Sequence, residues 1–522
     1  MKVCSTGCTN VQRTQGKGSG YVKKRESGIL MGISSLPGKY GIGDFGKEAY
    51  GFVDFLERSA QSYWQILPLG PTGFGDSPYQ SFSAFAGNPY FIDLDELVEI
   101  GFLEKSDIDS AGFAEDSRVD YSHIYKEKYR LLRLAFEKSK KALGNTLAEF
   151  YDDHSWWLRE FSVFMAIKDS QGGKAWSEWD EDLKHIGSPE VQEFEKKESD
   201  RIDFWIFTQY FFLKQWLKLK LYANDKGIKI IGDLPIYVSE DSSDLWANPK
   251  YFKLDEDLKP KTVAGVPPDY FTAKGQLWGN PIYDWSALEE SGYDFWIKRI
   301  KQSILLYDTI RIDHFRGFES FWEVPYGAED AVNGKWTKGP GMKLFNKIAQ
   351  VFGDVDIIAE DLGFQTEEVV ELIKATGFPG MKILQFAFDP EGDNDYLPHN
   401  HDRNCIVYTG THDNRTVRDW IETAPKDSRE YAIQYLKLDD DEEGYNWGLI
   451  RGAWGTNAYL AIAQMQDFLD LGEEGRMNEP ATLGQNWTWR VLKEQLTDKL
   501  ADRISRLTWI YRRCKDDQPR ES

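Results

Sequence analysis

Short apolar runs recur along the chain, and several of them are followed by residues with the apolar spacing of a helix. The run at 29–33 precedes a stretch led by Asp44, in which Phe52, Phe55 and Leu56 recur at helical spacing. Strands that alternate with helices are typical of parallel β/α units. The runs that we predict to be strands lie at 29–33, 63–68, 228–234, 309–312, 355–359, 381–388 and 405–409, with a weaker eighth at 481–489.

Eight such strands are enough to close a barrel, so the pattern predicts an α/β fold, a TIM (β/α)8 barrel. Helical patterns at 285–307, 341–352 and 366–376 lie between the later strands. Two segments interrupt the alternation. The first predicts a large, mainly helical insertion after strand 2, with helical patterns near 125–143, 156–167 and 203–222. The second is rich in proline and predicts a long loop insertion after strand 3. We expect no C-terminal β-domain.

These boundaries divide the chain into four parts. They are a flexible N-terminal tail (1–26), the start of the barrel (27–70), a mainly helical insertion subdomain (71–224) and the rest of the barrel (225–522), which includes the long loop 239–284. The tail contains a glycine-rich segment at 16–20. It follows no strand and opens no helix, so we do not interpret it as a nucleotide-binding loop.

Charge and hydropathy limit the classes of partner. The net charge of −22 would repel nucleic acid and other phosphate-rich partners, so we expect a neutral substrate and no nucleic acid. No apolar run is long enough to span a membrane, and the N-terminus lacks the apolar core of a signal peptide. We therefore expect no membrane partner and a cytoplasmic location. Aromatic residues make up 15% of the chain, and they suit either a core or the apolar faces of sugars.

The cysteines do not form the pattern of a disulfide framework, since they lie at positions 4, 8, 405 and 514. Cys4 and Cys8 have the spacing of two metal ligands, but no second pair of Cys or His residues follows at ligand spacing. We therefore favour two reduced thiols in a tail over a metal site. Scattered carboxylates leave a structural Ca²⁺ open as an alternative.

Acidic residues stand where three of the predicted strands end. Asp313, Glu360 and Asp413 each follow an apolar run. In a barrel the carboxyl ends of all strands meet on one face, so we expect these three side chains to converge. Taken singly, each acid is more simply explained as a strand-end charge that pairs with Arg or caps a helix. The set of three favours a barrel enzyme with a carboxylate site.

Cleavage of a glycosidic bond needs such a set. One carboxylate attacks the anomeric carbon, while a carboxylic acid protonates the leaving oxygen. Arg311 lies two residues before Asp313 on the same strand face, so its charge should keep Asp313 ionised. The crowded anionic site should raise the pKa of Glu360 so that it can donate a proton.

Longer motifs give the chain a resemblance to a known family. They lie at 35–38 (SLPG), 40–44 (YGIGD), 75–80 (GDSPYQ), 232–237 (GDLPIY), 265–269 (GVPPD), 275–281 (GQLWGNP), 311–314 (RIDH), 359–363 (AEDLG) and 410–414 (GTHDN). With them the chain resembles the amylomaltase, or disproportionating enzyme, family, which is glycoside hydrolase family 77 of the α-amylase superfamily. The resemblance extends from about residue 28 to beyond residue 489.

The resemblance implies a retaining 4-α-glucanotransferase that moves α-1,4-glucan segments between maltooligosaccharides, or glucans derived from starch or glycogen, and releases glucose. Asp313 would form the covalent glycosyl-enzyme, Glu360 would act as acid and then base, and Asp413 would stabilise the transition state. The implied mechanism requires no cofactor and no metal. The substrate-binding residues implied by the resemblance are Ser77, Tyr79, Asp233, Trp278, Asn280, Arg311 and His412.

Alternatives remain for some of these residues. Trp278 and Asn280 belong to the proline-rich loop, which is similar to the family's lid over the acceptor side and would exclude water from the glycosyl-enzyme. Tyr79 and Trp278 also fit as ordinary core aromatics. His412 would either contact substrate or orient Asp413. His314 should face away from the cavity by strand alternation, so we assign it no catalytic role.

Two positions depart from the family pattern. Phe74 stands where some relatives have a tyrosine assigned to a second, remote glucan site, which puts that site in doubt here. Arg415 stands where an acidic residue is common. Its charge would either alter the electrostatics around Asp413 or face solvent.

Two other functions compete with glucan transfer. One is an α-amylase-type hydrolase that passes the glycosyl group to water, which the lid and the family motifs disfavour. The other is a glucan-binding or regulatory protein without catalysis, which the three intact carboxylates disfavour because a binding module needs no proton donor.

Overall fold

The computed structural model describes residues 23–73, 75–268, 272–363, 365–392, 394–438, 444–482 and 484–514. Predictions made for Cys4, Cys8 and Phe74, for Asp269 of the GVPPD motif and for most of the N-terminal tail therefore lie outside the described residues. Within the described part of the chain, the strands are β1 (Glu26–Leu30), β2 (Tyr63–Gln65), β3 (Lys229–Leu234), β4 (Thr262–Val266), β5 (Gln276–Pro281), β6 (Thr309–Ile312), β7 (Ser320–Pro325), β8 (Lys335–Lys338), β9 (Ile357–Ala359), β10 (Gly380–Ile383), β11 (Cys405–Tyr408) and β12 (Leu460–Gln464).

The α-helices of the described residues follow the same chain order. They are α1 (Lys47–Arg58), α2 (Leu94–Glu99), α3 (Lys105–Asp109), α4 (Tyr121–Ser170), α5 (Pro189–Lys197), α6 (Ser199–Asp225), α7 (Ser243–Ala247), α8 (Trp285–Glu290), α9 (Asp294–Leu306), α10 (Met342–Phe352), α11 (Glu367–Thr376), α12 (Val417–Thr423), α13 (Lys426–Leu436), α14 (Gly444–Gly455), α15 (Met465–Phe468) and α16 (Asp498–Ile510). None of them combines the length and the apolar character needed to cross a bilayer.

Eight of the strands form one parallel sheet in the order β10-β11-β12-β1-β2-β3-β6-β9. The sheet closes because the backbone N–H of Ala359, at the end of β9, donates to the carbonyl oxygen of Pro379, directly before β10, at 3.0 Å. The predicted TIM barrel is confirmed. Alternate strand residues fill its interior, as the pleat of a strand requires: Leu30, Tyr63, Ile231, Ile358, Met381, Ile383, Ile406, Tyr408, Leu460 and Ile462 form one buried cluster.

The last barrel strand lies elsewhere than predicted. It is β12, whereas the described residues of 481–489 belong to no strand and have left-handed backbone at Ala481 and Trp487. The sequence of β12, Leu-Ala-Ile-Ala-Gln, is short and rich in alanine, so it carries little strand propensity. Three other predicted strands end early, and one of them is the run at 63–68, where β2 ends at Gln65. The run at 29–33 continues beyond β1 into a 3₁₀ helix, Ile33–Ser35, and the run at 381–388 continues beyond β10 into another, Leu384–Phe386.

The insertion after β2 is helical, as predicted, but two of its predicted helices are one. Helix α4 runs for 50 residues and is capped at its N-terminus by Asp120, whose side chain accepts a hydrogen bond from the N–H of His123. It packs along α6 through aromatic side chains, with the ring of Phe136 5.9 Å from that of Phe204 and 5.6 Å from that of Phe207. These rings belong to one buried cluster that also includes barrel residues such as Phe52 and Trp64, so the core of the insertion is continuous with that of the barrel.

The long insertion predicted after β3 is present, and it contains regular elements that the sequence pattern did not predict. It contains α7 and the strands β4 and β5. Strand β4 pairs with β5 and with β7, and β7 pairs with β8 in a hairpin that follows β6. The four strands form an antiparallel sheet of order β5-β4-β7-β8, which we call the lid sheet. The hydrophobic pattern did not indicate these strands, because β4 has a register shift between Val263 and Gly265 and β5 contains Gly279 and Pro281. Their partner β7 also lies far along the chain.

The chain termini of the described part meet at the amino end of the barrel. Strand β1 begins at Glu26, within the segment assigned to the tail, and Arg25 donates to the carbonyl oxygens of Trp454, Thr456 and Tyr511. Helix α16 packs on α1, and Arg58 pairs with Asp502 at 2.9 Å.

Candidate active site

A buried arginine joins the ends of two neighbouring barrel strands. Nη1 of Arg311, in β6, donates to both carboxylate oxygens of Asp233, in β3, at 2.7 and 2.6 Å. The same nitrogen donates to Oδ1 of Asp313 at 3.0 Å, so Arg311 and Asp313 share a strand face as predicted. The side chains of Asp233 and Arg311 are 0% and 4% exposed, whereas that of Asp313 is 29% exposed. Asp313 is thus the most exposed of these three side chains.

Tyr79 belongs to the same network. Its hydroxyl donates to Oδ2 of Asp233 at 2.7 Å. Burial and the charge of Asp233 raise the pKa of Tyr79 well above its usual value, so it stays a hydrogen-bond donor. Its ring stacks on that of His412, with 5.1 Å between ring centroids, and Trp487 packs against both rings. Tyr79 is therefore a polar member of the site rather than a core aromatic alone.

Glu360 follows β9 and is held by two backbone N–H groups. Oε2 accepts from the N–H of His314 at 2.7 Å, and Oε1 accepts from that of Leu362 at 2.8 Å. Burial raises the pKa of Glu360, and the charge of Asp313 raises it further, against the opposing effects of Arg311 and the two N–H groups. Glu360 therefore keeps its proton to a higher pH than an ordinary glutamate.

Asp313 and Glu360 titrate as an interacting pair. Burial raises the pKa of Asp313 as well, and Arg311 opposes that rise. Asp313 alone of the two forms a salt bridge to Arg311, at 3.0 Å. When one proton is shared between the two groups, the negative charge is therefore better stabilised on Asp313 and the proton on Glu360.

Asp413 differs from Asp313 and Glu360 because its pKa is lowered rather than raised. Its Oδ2 lies 3.3 Å from Nε2 of His412, and its Oδ1 accepts from Nδ2 of Asn478 at 2.6 Å. Burial opposes ionisation, but His412, Asn478 and the charge of Arg311 together lower the pKa of Asp413 to about 2. In return, Asp413 raises the pKa of His412 although burial acts against it. Of the two roles considered for His412, orienting Asp413 is the one that this contact supports.

The turn that carries Asp413 is braced locally. Oδ1 of Asn414 accepts from the N–H of Thr411 at 2.8 Å and from its hydroxyl at 2.9 Å. Arg415 does not point freely into solvent, because its Nη1 donates to both oxygens of Asp419, in α12, at 3.0 and 2.8 Å. The charge of Arg415 is thus matched by Asp419 rather than directed at Asp413.

The other predicted binding residues lie at the rim. Oγ of Ser77 accepts from the N–H of Tyr79 at 3.3 Å and shapes the loop that presents it. Nδ2 of Asn280, in β5, donates to the carbonyl oxygen of Val238 at 2.8 Å, so this side chain fastens the lid sheet to the segment after β3. Trp278, also in β5, meets the ring of His314 edge to face, with 4.7 Å between centroids. The lid sheet therefore reaches the end of β6.

His314 takes part in the site, contrary to its predicted position away from it. Its backbone is left-handed, with φ of 50°, and this turn aims its N–H at Glu360. Burial and the charge of Arg316 lower the pKa of its ring to about 3, so the ring is neutral beneath Trp278. Strand alternation holds as far as Asp313 and fails at His314, because the backbone turns left-handed there, after the end of β6.

Two members of the site were missed by sequence reasoning. Asn478 and Trp487 both come from the segment between α15 and α16, part of which was predicted as a strand. Neither position has a pattern of its own that would have identified it. Among the residues that the structure describes, no three His, Cys, Asp or Glu side chains are grouped as metal ligands.

The fold and the site together define a (β/α)8-barrel enzyme with three carboxylates at the carboxyl ends of its strands. The family model described as 4-alpha-glucanotransferase, of glycoside hydrolase family 77, matches residues 31–496. The chain belongs to this family and is an enzyme of the glycosyl-transferring class.

Relatives and a solved structure agree over almost the whole chain. The chain is 54% identical to a 4-alpha-glucanotransferase of Clostridium butyricum over 93% of its own length and 100% of the relative's. It is 46% identical to that of Thermus thermophilus over 92% and 97% of the two chains. The structure of an amylomaltase from Streptococcus agalactiae in complex with acarbose superposes with a TM-score of 0.92, at 45% identity, over 94% of this chain and 100% of that one.

Proposed function

We propose that the chain is a retaining 4-α-glucanotransferase that moves α-1,4-glucan segments between maltooligosaccharides through a covalent glycosyl-enzyme. The observation that carries the proposal is the division of charge between two adjacent carboxyl groups. Asp313 is paired with Arg311, while burial and its neighbour raise the pKa of Glu360. One group is thus prepared as nucleophile and the other as proton donor.

In the first step, Asp313 attacks the anomeric carbon of the donor, and the bond to the leaving oxygen breaks. Glu360 gives its proton to that oxygen, and the leaving sugar departs. The leaving sugar is glucose when the bond cleaved is the one next to the reducing end. Ionised Asp413 stabilises the positive charge that develops on the ring. The Tyr79–Asp233–Arg311 network supplies buried polar groups that orient the ring bound beside Asp313.

In the second step, Glu360 is ionised and takes the proton of an acceptor 4-hydroxyl, whose oxygen displaces Asp313 from the anomeric carbon. Both carboxyl groups then return to their starting states. Trp278 and Asn280 place the lid sheet beside this acceptor position, where it excludes water and favours a sugar as acceptor. Ser77 supports Tyr79 on the donor side.

The substrates that we infer are neutral maltooligosaccharides and glucans derived from starch or glycogen. The net charge of −22 disfavours anionic substrates, and the aromatic rings of Trp278 and Trp487 suit the apolar faces of sugars. The acarbose complex of the Streptococcus agalactiae enzyme supports a carbohydrate ligand for the same cleft. We assign the enzyme to carbohydrate metabolism in the cytoplasm.

The test is to incubate the purified enzyme with maltotriose alone and resolve the products by length over time. We expect a ladder of longer maltooligosaccharides together with glucose, while the total of reducing ends stays constant. A rise in reducing ends in step with the loss of maltotriose would instead identify a hydrolase. Binding of maltotriose without any product would identify a binding protein.

A further inference from the structure

A buried glutamate lies inside the lid sheet. Glu323, in β7, is 4% exposed. Its Oε1 accepts from Nζ of Lys253 at 3.0 Å and from Oγ1 of Thr262 at 2.6 Å, and its Oε2 accepts from Oγ1 of Thr337 at 2.7 Å. Burial alone would raise the pKa of Glu323, but these three donors lower it below the usual value. The side chain is therefore a permanent charge held by hydrogen bonds.

The three donors come from three different segments of the lid. Lys253 precedes β4, Thr262 begins β4, and Thr337 lies in β8. Together with Glu323 in β7, four separate pieces of chain meet at one carboxylate. Since a buried charge that loses its partners is costly, this contact fixes how the strands of the lid sheet sit on one another.

A series of contacts connects β4 of the lid sheet to Glu360. Strand β4 pairs with β5 through Gly265 and Leu277, next to Trp278. The ring of Trp278 meets that of His314 at 4.7 Å, and the N–H of His314 holds Glu360 at 2.7 Å. A shift of β4 therefore moves the ring that covers the acceptor side.

We propose that Glu323 is a positioning residue for the acceptor step: it holds the lid sheet where Trp278 excludes water, and so sets the ratio of transfer to hydrolysis. This inference rests on the proposed function, because it assumes a glycosyl-enzyme for which sugar and water compete. Glu323 itself touches no reacting atom. Its effect on the reaction passes through β4, β5 and Trp278.

The principal variant is Glu323→Gln, which keeps the shape of the side chain but removes the charge that Lys253 pairs with. Thr337→Val is a second variant that removes one donor and keeps the charge, and it serves if the first does not fold. The matched control is Glu127→Gln. Glu127 is also a buried glutamate, with 11% of its side chain exposed against 4% for Glu323; it lies on α4, pairs with Arg130 at 2.7 Å, and is outside the lid sheet.

The experiment uses maltotriose as donor and isotopically labelled glucose as acceptor. Transfer is measured as label in longer sugars, and hydrolysis as the increase in total reducing ends. For Glu323→Gln we expect the ratio of transfer to hydrolysis to fall by about threefold or more, with a raised KM for labelled glucose. Thr337→Val should show a smaller change in the same direction, and Glu127→Gln should keep the ratio of the unaltered enzyme.

Hydrogen exchange supplies a readout independent of activity. Amides of 262–266 and 276–281 should exchange faster in Glu323→Gln than in the control. An unchanged ratio in folded Glu323→Gln and Thr337→Val, or equal losses of transfer and hydrolysis with no change in the acceptor KM, would overturn the role of Glu323. Hydrolysis without transfer by the unaltered enzyme would instead contradict the proposed function itself.

Discussion

The backbone N–H of His314 donates to Oε2 of Glu360 at 2.7 Å, so the residue next to the proposed nucleophile holds the proposed acid/base. The carboxyl groups of Asp313 and Glu360, which follow β6 and β9, are thereby connected through a single backbone turn. That turn has the left-handed conformation at His314. A movement of Asp313 along the strand axis is thus transmitted to Glu360, which would keep the proposed nucleophile and proton donor at a constant separation.

Replacement of the acid/base tests the assignment most directly. In Glu360→Gln the side chain still accepts from the N–H of His314 or Leu362 but has no proton to donate. Since general acid catalysis contributes roughly 10²–10⁴-fold, disproportionation of maltotriose should fall by about that factor. Calorimetry should find maltotriose binding retained. Unchanged activity would exclude Glu360 as the acid/base.

The pH dependence follows from the raised pKa values of the coupled pair. The first step needs Glu360 protonated, so activity is present below its raised pKa and is lost as pH rises through it. It also needs Asp313 ionised, so activity is lost as pH falls through the raised pKa of that group. We therefore expect a bell-shaped profile of kcat/KM whose limbs both lie above the ordinary carboxyl range.

A donor that needs no proton separates the two limbs of this profile. With α-maltotriosyl fluoride, the leaving fluoride departs unaided, so the alkaline limb of the first step should disappear while the acid limb stays. An alkaline limb that persists with the fluoride would mean that a group other than Glu360 controls it.

Asn478 offers a test of the third carboxylate. Asn478→Ala removes the 2.6 Å hydrogen bond to Oδ1 of Asp413, so the pKa of Asp413 should rise from about 2. Because this hydrogen bond orients the ionised Asp413, its loss should lower kcat of the transfer reaction. Asn478→Asp should be slower still, because it places a second negative charge beside Asp413. Rates equal to the unaltered enzyme in both variants would show that this contact is incidental.

The three carboxylates of the site could be predicted because they follow strands that the hydrophobic pattern of the sequence indicates. Asp313, Glu360 and Asp413 follow strands whose apolar runs are visible, and a parallel barrel brings such positions to one face. Asn478 could not be found in this way, since it lies in an aperiodic loop that reaches Asp413 only through tertiary folding. The lid sheet was missed for a related reason: β4 is irregular, and its partner β7 lies on the far side of β6 in the chain.

Arg311 provides a test in which stability and catalysis diverge. In Arg311→Met the buried carboxylate of Asp233 loses its two bonds to Nη1, and breaking a buried pair costs about 3–5 kcal/mol. The double variant Arg311→Met with Asp233→Asn leaves no unpaired charge, so it should recover part of the free energy of unfolding in urea titrations. Transfer activity should stay low in the double variant, because Asp313 still lacks the 3.0 Å bond that stabilises its anion. Recovery of activity together with stability would mean that Arg311 serves the fold and not the nucleophile.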